Sequence, residues 1–403
     1  MIIGIDASQA NKPERTGTEW YAFYIIQRWM QSNAFQGNHV RLYTQNPLRD
    51  DFGPLPENWE VRVLTWPPKI FWTHIRLSLE LLFRPIHLLF IPSHTIPLKH
   101  PKATLTTVHD IGFETNPELY ANASVVHIKS AFVRWMISFL IRMVTGGRYG
   151  ANELDYQRFG LRYALRHAQM IFTVSEFTKQ QIELHFPSHP PLVVAYNGVV
   201  QKEFYYPYPK DHVRSIMQTY RLKKYILAIG RIEKKKNSLL LLKAFHSLVK
   251  KDSFSDLTLV FAGGEGYGAD EVHNYISDHR LENNVRFLGW TPQEHIAPLL
   301  AGASIFAFLS AYEGFGVPLI QALAVGTPVV ASKLPVFREI ADDTIAYTDP
   351  EETAVTASRF LNILLKNKDE IAHAGVKRAK SFTWQKTADT IERQIIEILA
   401  KKP

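Results

Sequence analysis

Short runs of β-branched and aromatic residues alternate with helical segments along nearly the whole chain, and this alternation restricts the fold more than any other feature. The runs fall at residues 2–6, 40–44, 61–65, 87–92, 105–109, 170–174 and 192–195, then at 225–229, 257–262, 285–288, 305–309 and 328–331. Strands separated by helices pair in parallel and are covered on both faces. The expected fold class is therefore α/β, with parallel sheets. Several runs end directly in polar residues or glycine: Ile5-Asp6, Val108-His109-Asp110, Val174-Ser175, Asn197-Gly198, Gly230-Arg231 and Gly263-Gly264. In such sheets ligands bind beyond the carboxyl ends of the strands. The chemistry is thus expected along one rim of each domain.

A length of 403 residues suits two or three domains. The segment 200–211 carries Pro207 and Pro209 among tyrosines and is the expected break. It divides the chain into residues 1–200 and 201–383. A last helix at 384–399 follows, with Ile391, Ile395, Ile396 and Leu399 as its apolar face. The sequence has no cysteine, which excludes disulfides, thiolate metal sites and a cysteine nucleophile. That composition fits a reducing compartment. The opening Met1-Ile2-Ile3-Gly4-Ile5-Asp6 lacks a charged leader and reads as a strand rather than a signal peptide, so a cytoplasmic location is expected. A net charge of +8 suits an anionic partner. The basic residues are not gathered with aromatics into a nucleic-acid reader, and no nucleic-acid partner is expected. No stretch of 18 residues is both apolar and free of charge, so no membrane span is expected.

The most informative stretch is Ser310-Ala311-Tyr312-Glu313-Gly314-Phe315-Gly316-Val317-Pro318-Leu319-Ile320-Gln321. A strand ends, a glycine-rich turn follows, and an apolar helix begins. Amides at a helix N-terminus favour an anion, and Gly314 and Gly316 allow close approach of backbone to a ligand. Glu313 can accept hydrogen bonds from sugar hydroxyls. The competing reading is a strand–turn–helix joint whose glycines serve only the turn. The second stretch is Gly230-Arg231-Ile232-Glu233-Lys234-Lys235-Lys236-Asn237. Arg231 suits bidentate phosphate contact and Lys236 acts as a mobile point charge. Lys234 and Lys235 read as a solvated basic run.

In the first half, Thr16-Gly17-Thr18-Glu19 precedes a helix expected at 20–30. It can bring backbone to a phosphate or simply cap the helix. His109-Asp110 ends a strand; the histidine can hydrogen-bond a sugar or be a structural histidine held by its neighbour. Residues 125–144 read as a basic amphipathic helix with a polar stripe of His127, Ser130, Arg134, Ser138 and Arg142. Such a helix suits a membrane interface, or packing on the protein's own core or another subunit.

Taken together these residues resemble retaining glycosyltransferase family 4, which has the GT-B fold of two Rossmann-like domains facing across a cleft. The resemblance rests on Glu313-Gly314-Phe315-Gly316 with Pro318, and on Gly326-Thr327-Pro328-Val329-Val330-Ala331-Ser332. It extends to Gly230-Arg231 with Lys236-Asn237, Val174-Ser175-Glu176-Phe177-Thr178, Asn197-Gly198-Val199 and Val108-His109-Asp110. It covers most of the chain in the family's order. By resemblance, residues 1–200 form the acceptor-side domain, completed by the C-terminal helix 384–403, and residues 201–383 bind the nucleotide sugar. Arg231 and Lys236 should hold the donor diphosphate. The amides around Phe315, Gly316 and Val317 should hold the distal phosphate and sugar, Glu313 should contact the transferred sugar, and His109 with Asp110 should approach it from the opposite domain. Gly17 and Gly264 should lie at the donor. The resemblance implies no metal and no cofactor other than the nucleotide-diphosphate sugar as co-substrate. One position departs from the family: Gln321 stands where a second glutamate is usual, which implies an altered ribose contact.

Gly264-Glu265-Gly266-Tyr267-Gly268 and Val108-His109-Asp110-Ile111 are similar to bacterial mannosyltransferases of surface-glycan synthesis that use GDP-mannose. The expected acceptor is a glycan or lipid-linked glycan, with peripheral contact at the inner membrane face through 125–144. A UDP-sugar-dependent hexosyltransferase and a catalytically silent sugar-nucleotide-binding protein of the same fold are the alternatives.

Overall fold

The computed structural model describes residues 1–66, 71–120, 152–200, 202–366 and 368–401. The segment 125–144, read above as a basic amphipathic helix, lies outside the described residues. The chain divides into two compact units, one of Met1–Asn197 with Trp384–Pro403, the other of Gly198–Thr383.

The first unit is built on seven parallel strands: β1 (Ile2–Asp6), β2 (His39–Thr44), β3 (Trp59–Val63), β4 (Leu88–Ile91), β5 (Ala103–Val108), β6 (Met170–Thr173) and β7 (Leu192–Val194). Their order is β3-β2-β1-β4-β5-β6-β7. Strands β4 and β5 are buried along their whole length, as continuous apolar runs in a doubly covered sheet must be. The threonines of β5 are tolerated there because their hydroxyls find partners. Thr104 Oγ1 donates to Pro101 O at 2.7 Å, and Thr107 Oγ1 pairs with Tyr21 Oη at 3.1 Å. Strand β3 lies two residues before the expected 61–65. Trp59 supplies the buried anchor and Val63 is exposed.

The helix expected at 20–30 runs Gly17–Gln31. Thr16 and Glu19 form a capping box at its start, so Gly17 belongs to the first helical turn. Helix Trp384–Ala400 packs on it: Tyr24 stacks on Trp384 with centroids 5.2 Å apart, and Trp29 Nε1 donates to Ala388 O at 3.2 Å. The buried stripe of this last helix is Trp384, Thr387, Ala388, Ile391, Ile395, Ile398 and Leu399. Ile396, assigned to the apolar face from sequence, is exposed instead. It lies one residue past Ile395, about 100° round the helix and off the i, i+3, i+4 stripe.

The second unit has six parallel strands: β8 (Tyr225–Ile229), β9 (Thr258–Ala262), β10 (Val285–Gly289), β11 (Ile305–Phe308), β12 (Val329–Ser332) and β13 (Ala346–Thr348), in the order β10-β9-β8-β11-β12-β13. Its core joins Ile226, Leu242, Phe245, Leu259, Ile305 and Phe360. Strand β13 has no counterpart among the expected runs. Its three residues carry no periodicity, and it exists by pairing with β12. Strand order reverses between β1 and β4 in the first unit and between β8 and β11 in the second. Those reversals open crevices at the carboxyl ends of the strands. No helix among the described residues is long and apolar enough to cross a membrane.

Candidate active site

The loops leaving β8 and β11 flank the crevice of the second unit, and they are tied together. Asn237 Nδ2 donates to Leu309 O at 2.8 Å, and Ala311 N donates to Lys235 O at 2.8 Å. After β8 the chain makes one 3-10 turn, Lys234–Lys236, before helix Ser238–Val249 begins. That turn carries Lys236 back across the crevice, where its Nζ forms an ion pair with Glu313 Oε1. Ser310 Oγ donates to the same carboxylate oxygen at 2.8 Å. Lys236 Nζ also stands 5.2 Å from the centre of the Phe308 ring. Two residues 77 apart in sequence, chosen for different motifs, are thus brought into one charged pair.

Arg231 is exposed at the end of β8 and has no ion pair among the described residues. It is a cation available to an incoming anion. The backbone beside it is fixed by glycine. Gly230 N donates to Ala262 O at 3.0 Å, and Ile232 N donates to Gly264 O at 2.9 Å. Gly263 packs so closely that a Cβ there would come 2.1 Å from Gly230 O. Gly264 is exposed, with open space where a side chain would point. On the other side of the crevice, Gly316 adopts φ +108 and caps helix Val317–Ala324. That left-handed conformation requires glycine, and the helix begins directly after it, at Val317. Phe315 is buried with its ring edge-on to Phe382 at 5.7 Å. Gln321, about one turn into this helix, is half-buried.

In the first unit the crevice lies between the ends of β1 and β4. His109 and Asp110 sit one strand over, at the end of β5. His109 Nε2 meets Pro92 O at 2.9 Å. A carbonyl only accepts, so Nε2 carries the proton and Nδ1 is left as an acceptor. Burial holds the His109 pKa below its ordinary value, against the raising effects of the Pro92 bond and Asp110. The ring is neutral at pH 7 and suited to accept from a hydroxyl. Asp110 Oδ1 accepts from Gly112 N at 3.1 Å, which fixes the turn after β5. Gly17 is exposed, and nothing lies within 4 Å of a Cβ built on it.

The sequence assigns no role to three residues of these crevices. Asn237 and Ser310 brace the two loops of the second unit. His94, just after β4, is held to about 4, first by burial and then by the charge of His109. Its position two residues beyond the run 87–92 was the available signal.

Residues 211–382 match the family model described as glycosyl transferases group 1. The chain is 28% identical over 305 residues to O-antigen chain mannosyltransferase B of Escherichia coli, covering 74% of this chain and 72% of that protein. It is 26% identical over 306 residues to O-antigen chain mannosyltransferase RfbU of Salmonella typhimurium, covering 75% and 71%. Among solved structures, sucrose-phosphate synthase from Thermosynechococcus elongatus superposes over 100% of both chains with a TM-score of 0.73 at 16% identity. That last likeness concerns the fold. The chain is a glycosyltransferase of GT-B fold, and its residues 211–382 form a group 1 glycosyl transferase domain.

Proposed function

We propose that this enzyme transfers mannose from GDP-mannose, with retention and without a metal, to a glycan or lipid-linked glycan acceptor of a bacterial surface polysaccharide. One observation carries the donor site: Arg231, Lys236, Glu313 and the Gly316-capped helix converge on the strand-order reversal of the second unit. Two cations and a helix N-terminus meet there, beside one carboxylate. A diphosphate would take the charge of Arg231, Lys236 and the amides of Phe315, Gly316 and Val317, and sugar hydroxyls would donate to Glu313. The choice of mannose is supported by the two O-antigen mannosyltransferases among the relatives.

In this reading the bond from the sugar C1 to the diphosphate oxygen breaks first, through an oxocarbenium-like state. The charge gathering on the leaving phosphate falls on Arg231, Lys236 and the helix amides. The acceptor hydroxyl attacks the same face of C1, and the leaving phosphate takes its proton. His109 and Asp110 are assigned to the transferred sugar, with neutral His109 Nδ1 accepting from a hydroxyl. Gly17 and Gly264 are assigned to donor contact through their exposed backbone. The protein is taken to work in the cytoplasm, and residues 125–144 are assigned to the inner membrane face.

The test is donor hydrolysis without acceptor, over a panel of nucleotide sugars and with chelator present. Slow release of GDP from GDP-mannose, unaffected by chelator, is the expected result. Release of UDP from a UDP-hexose would replace the mannose assignment, and no release from any donor would point to a silent binding protein. Gln321 gives a second check. Gln321→Glu restores a carboxylate one turn into the helix, and it should tighten donor binding by up to about tenfold, the size of a charge-assisted hydrogen bond gained over a neutral one. Unchanged affinity by titration calorimetry would remove Gln321 from the ribose contact.

A further inference from the structure

The tyrosine-rich segment 203–208 of the second unit is held in one shape and turns two of its rings to solvent. Phe204 is buried, and Tyr206 packs so closely on Gly326 that a Cβ there would come 2.5 Å from the tyrosine ring. The Tyr206 ring also meets His373 edge-on, with centroids 5.9 Å apart. With these two anchored, Tyr205 and Tyr208 are left outside: Tyr205 is 42% exposed and Tyr208 is half-buried. Their rings lie 5.2 Å apart, tilted by 35°. Pro207 and Pro209 fix φ on either side of Tyr208, which limits the freedom of the exposed pair.

Carboxylates border these rings. Glu203 lies beside Tyr208. It accepts a hydrogen bond from the Gln293 side chain, and Glu294 stands next to it. Glu203 and Glu294 are both exposed, and no cation among the described residues forms an ion pair with either. Lys202 and Lys210, exposed on the same segment, balance their charge. The patch is therefore neutral in a chain of net charge +8. It offers neither a polyanion nor a polycation an excess of charge to bind. What it presents is two ring faces beside a carboxylate oriented by an amide. A sugar ring matches that arrangement. Its C–H face lies on an aromatic ring, and its edge hydroxyls donate to Glu203 and Glu294. Tyrosine supplies such contact area with few rotatable bonds to order.

We propose that Tyr205 and Tyr208, with Glu203, Gln293 and Glu294, form a second glycan-binding site, one that holds a neutral oligosaccharide or polysaccharide chain without reacting it. None of these residues belongs to the donor crevice. The inference rests on the glycosyltransferase class of the chain, not on mannose as the sugar moved.

The full chain is run in native gels containing α-mannan, dextran, polygalacturonate or no polymer. Retardation by α-mannan, by dextran or by both is expected. Retardation by dextran alone would support the site while counting against the mannose assigned above. Tyr205→Ala combined with Tyr208→Ala should weaken the binding by about tenfold, the loss of two aromatic contacts. Tyr205→Ala alone should weaken it by about threefold, and its exposure predicts parent-like melting. Tyr208→Phe keeps the ring and should bind nearly as the parent does. Leu365→Ala, at an exposed position elsewhere in the same unit, should leave binding unchanged. Donor hydrolysis without acceptor should be the same in the parent and in Tyr205→Ala. Retardation by polygalacturonate only, or by no polymer, overturns the proposal. So does equal retardation of the parent, the double variant and Tyr205→Ala, or a folded Tyr205→Ala protein that loses donor hydrolysis together with glycan binding.

Discussion

Lys236→Ala is expected to lower donor turnover by about 10²–10³-fold, the loss that follows removal of one preorganised charge stabiliser from a transition state, or roughly 2.7–4 kcal/mol. The fold should survive it. Lys236 and Glu313 remain partly accessible, with 22% and 12% of their side chains exposed, and an ion pair of that kind contributes about 1 kcal/mol or less to stability. Glu313 would also keep the hydrogen bond from Ser310 Oγ. The variant should therefore melt within a few degrees of the parent while turnover collapses. That split separates a chemical role from a structural one. Lys236→Arg should recover only part of the rate, because a planar fork cannot reproduce a point charge reaching over the Phe308 ring. Arg231→Ala should also lose turnover with its fold intact, since no ion pair among the described residues holds Arg231 in the absence of ligand. Parent-like turnover in Lys236→Ala would remove this pair from the donor site.

The strands of both sheets were legible because a doubly covered parallel strand is a short unbroken apolar run, and β1, β8 and β9 read that way without help from context. Where context decides, the reading slipped. Strand β13 has three residues and depends on β12 for its existence. Strand β3 begins at Trp59 because that ring is buried, which periodicity alone does not reveal. The start of helix Gly17–Gln31 was written in the sequence as Thr16 and Glu19, a capping box spaced by three. Of the two readings that stretch allows, a phosphate-binding turn or a helix cap, the cap is the one the structure forms, with the helix starting at Gly17. At the candidate site, residue types were legible and pairing was not. Glu313 and Lys236 were each singled out, yet nothing in spacing says that a 3-10 turn carries one to the other. Asn237 and Ser310 were invisible as braces for the same reason: their partners are set by strand order. His94 was missed because a histidine after a strand is unremarkable until its burial and its nearness to His109 are known.

The tightest constraint at the candidate site is backbone against backbone, and it yields the largest expected stability effect. Gly263→Ala places a Cβ 2.1 Å from Gly230 O and 2.5 Å from Gly230 C. Neither atom can rotate away, as the end of a side chain could. The loop after β8 is pinned on both sides of the clash, by Gly230 N to Ala262 O and by Ile232 N to Gly264 O. Relief therefore requires those strand ends to part. Overpacking of this kind costs about 1–3 kcal/mol, and two strained or broken backbone hydrogen bonds add about 1 kcal/mol each. A total of about 3–5 kcal/mol should lower the melting temperature of a unit this size by roughly 6–20 °C. Gly264→Ala is the matched control, since nothing lies within 4 Å of its added Cβ; it should melt as the parent does. Arg231 directly follows Gly230, so whatever moves the end of β8 also moves the guanidinium assigned to the diphosphate. Gly263→Ala should thus lose donor affinity even at temperatures where it remains folded, and Gly264→Ala should keep the loop in place. A Gly263→Ala protein with parent-like melting and parent-like donor binding would mean that the two loops do not meet as described, and the placement of Arg231 at the crevice would fall with them.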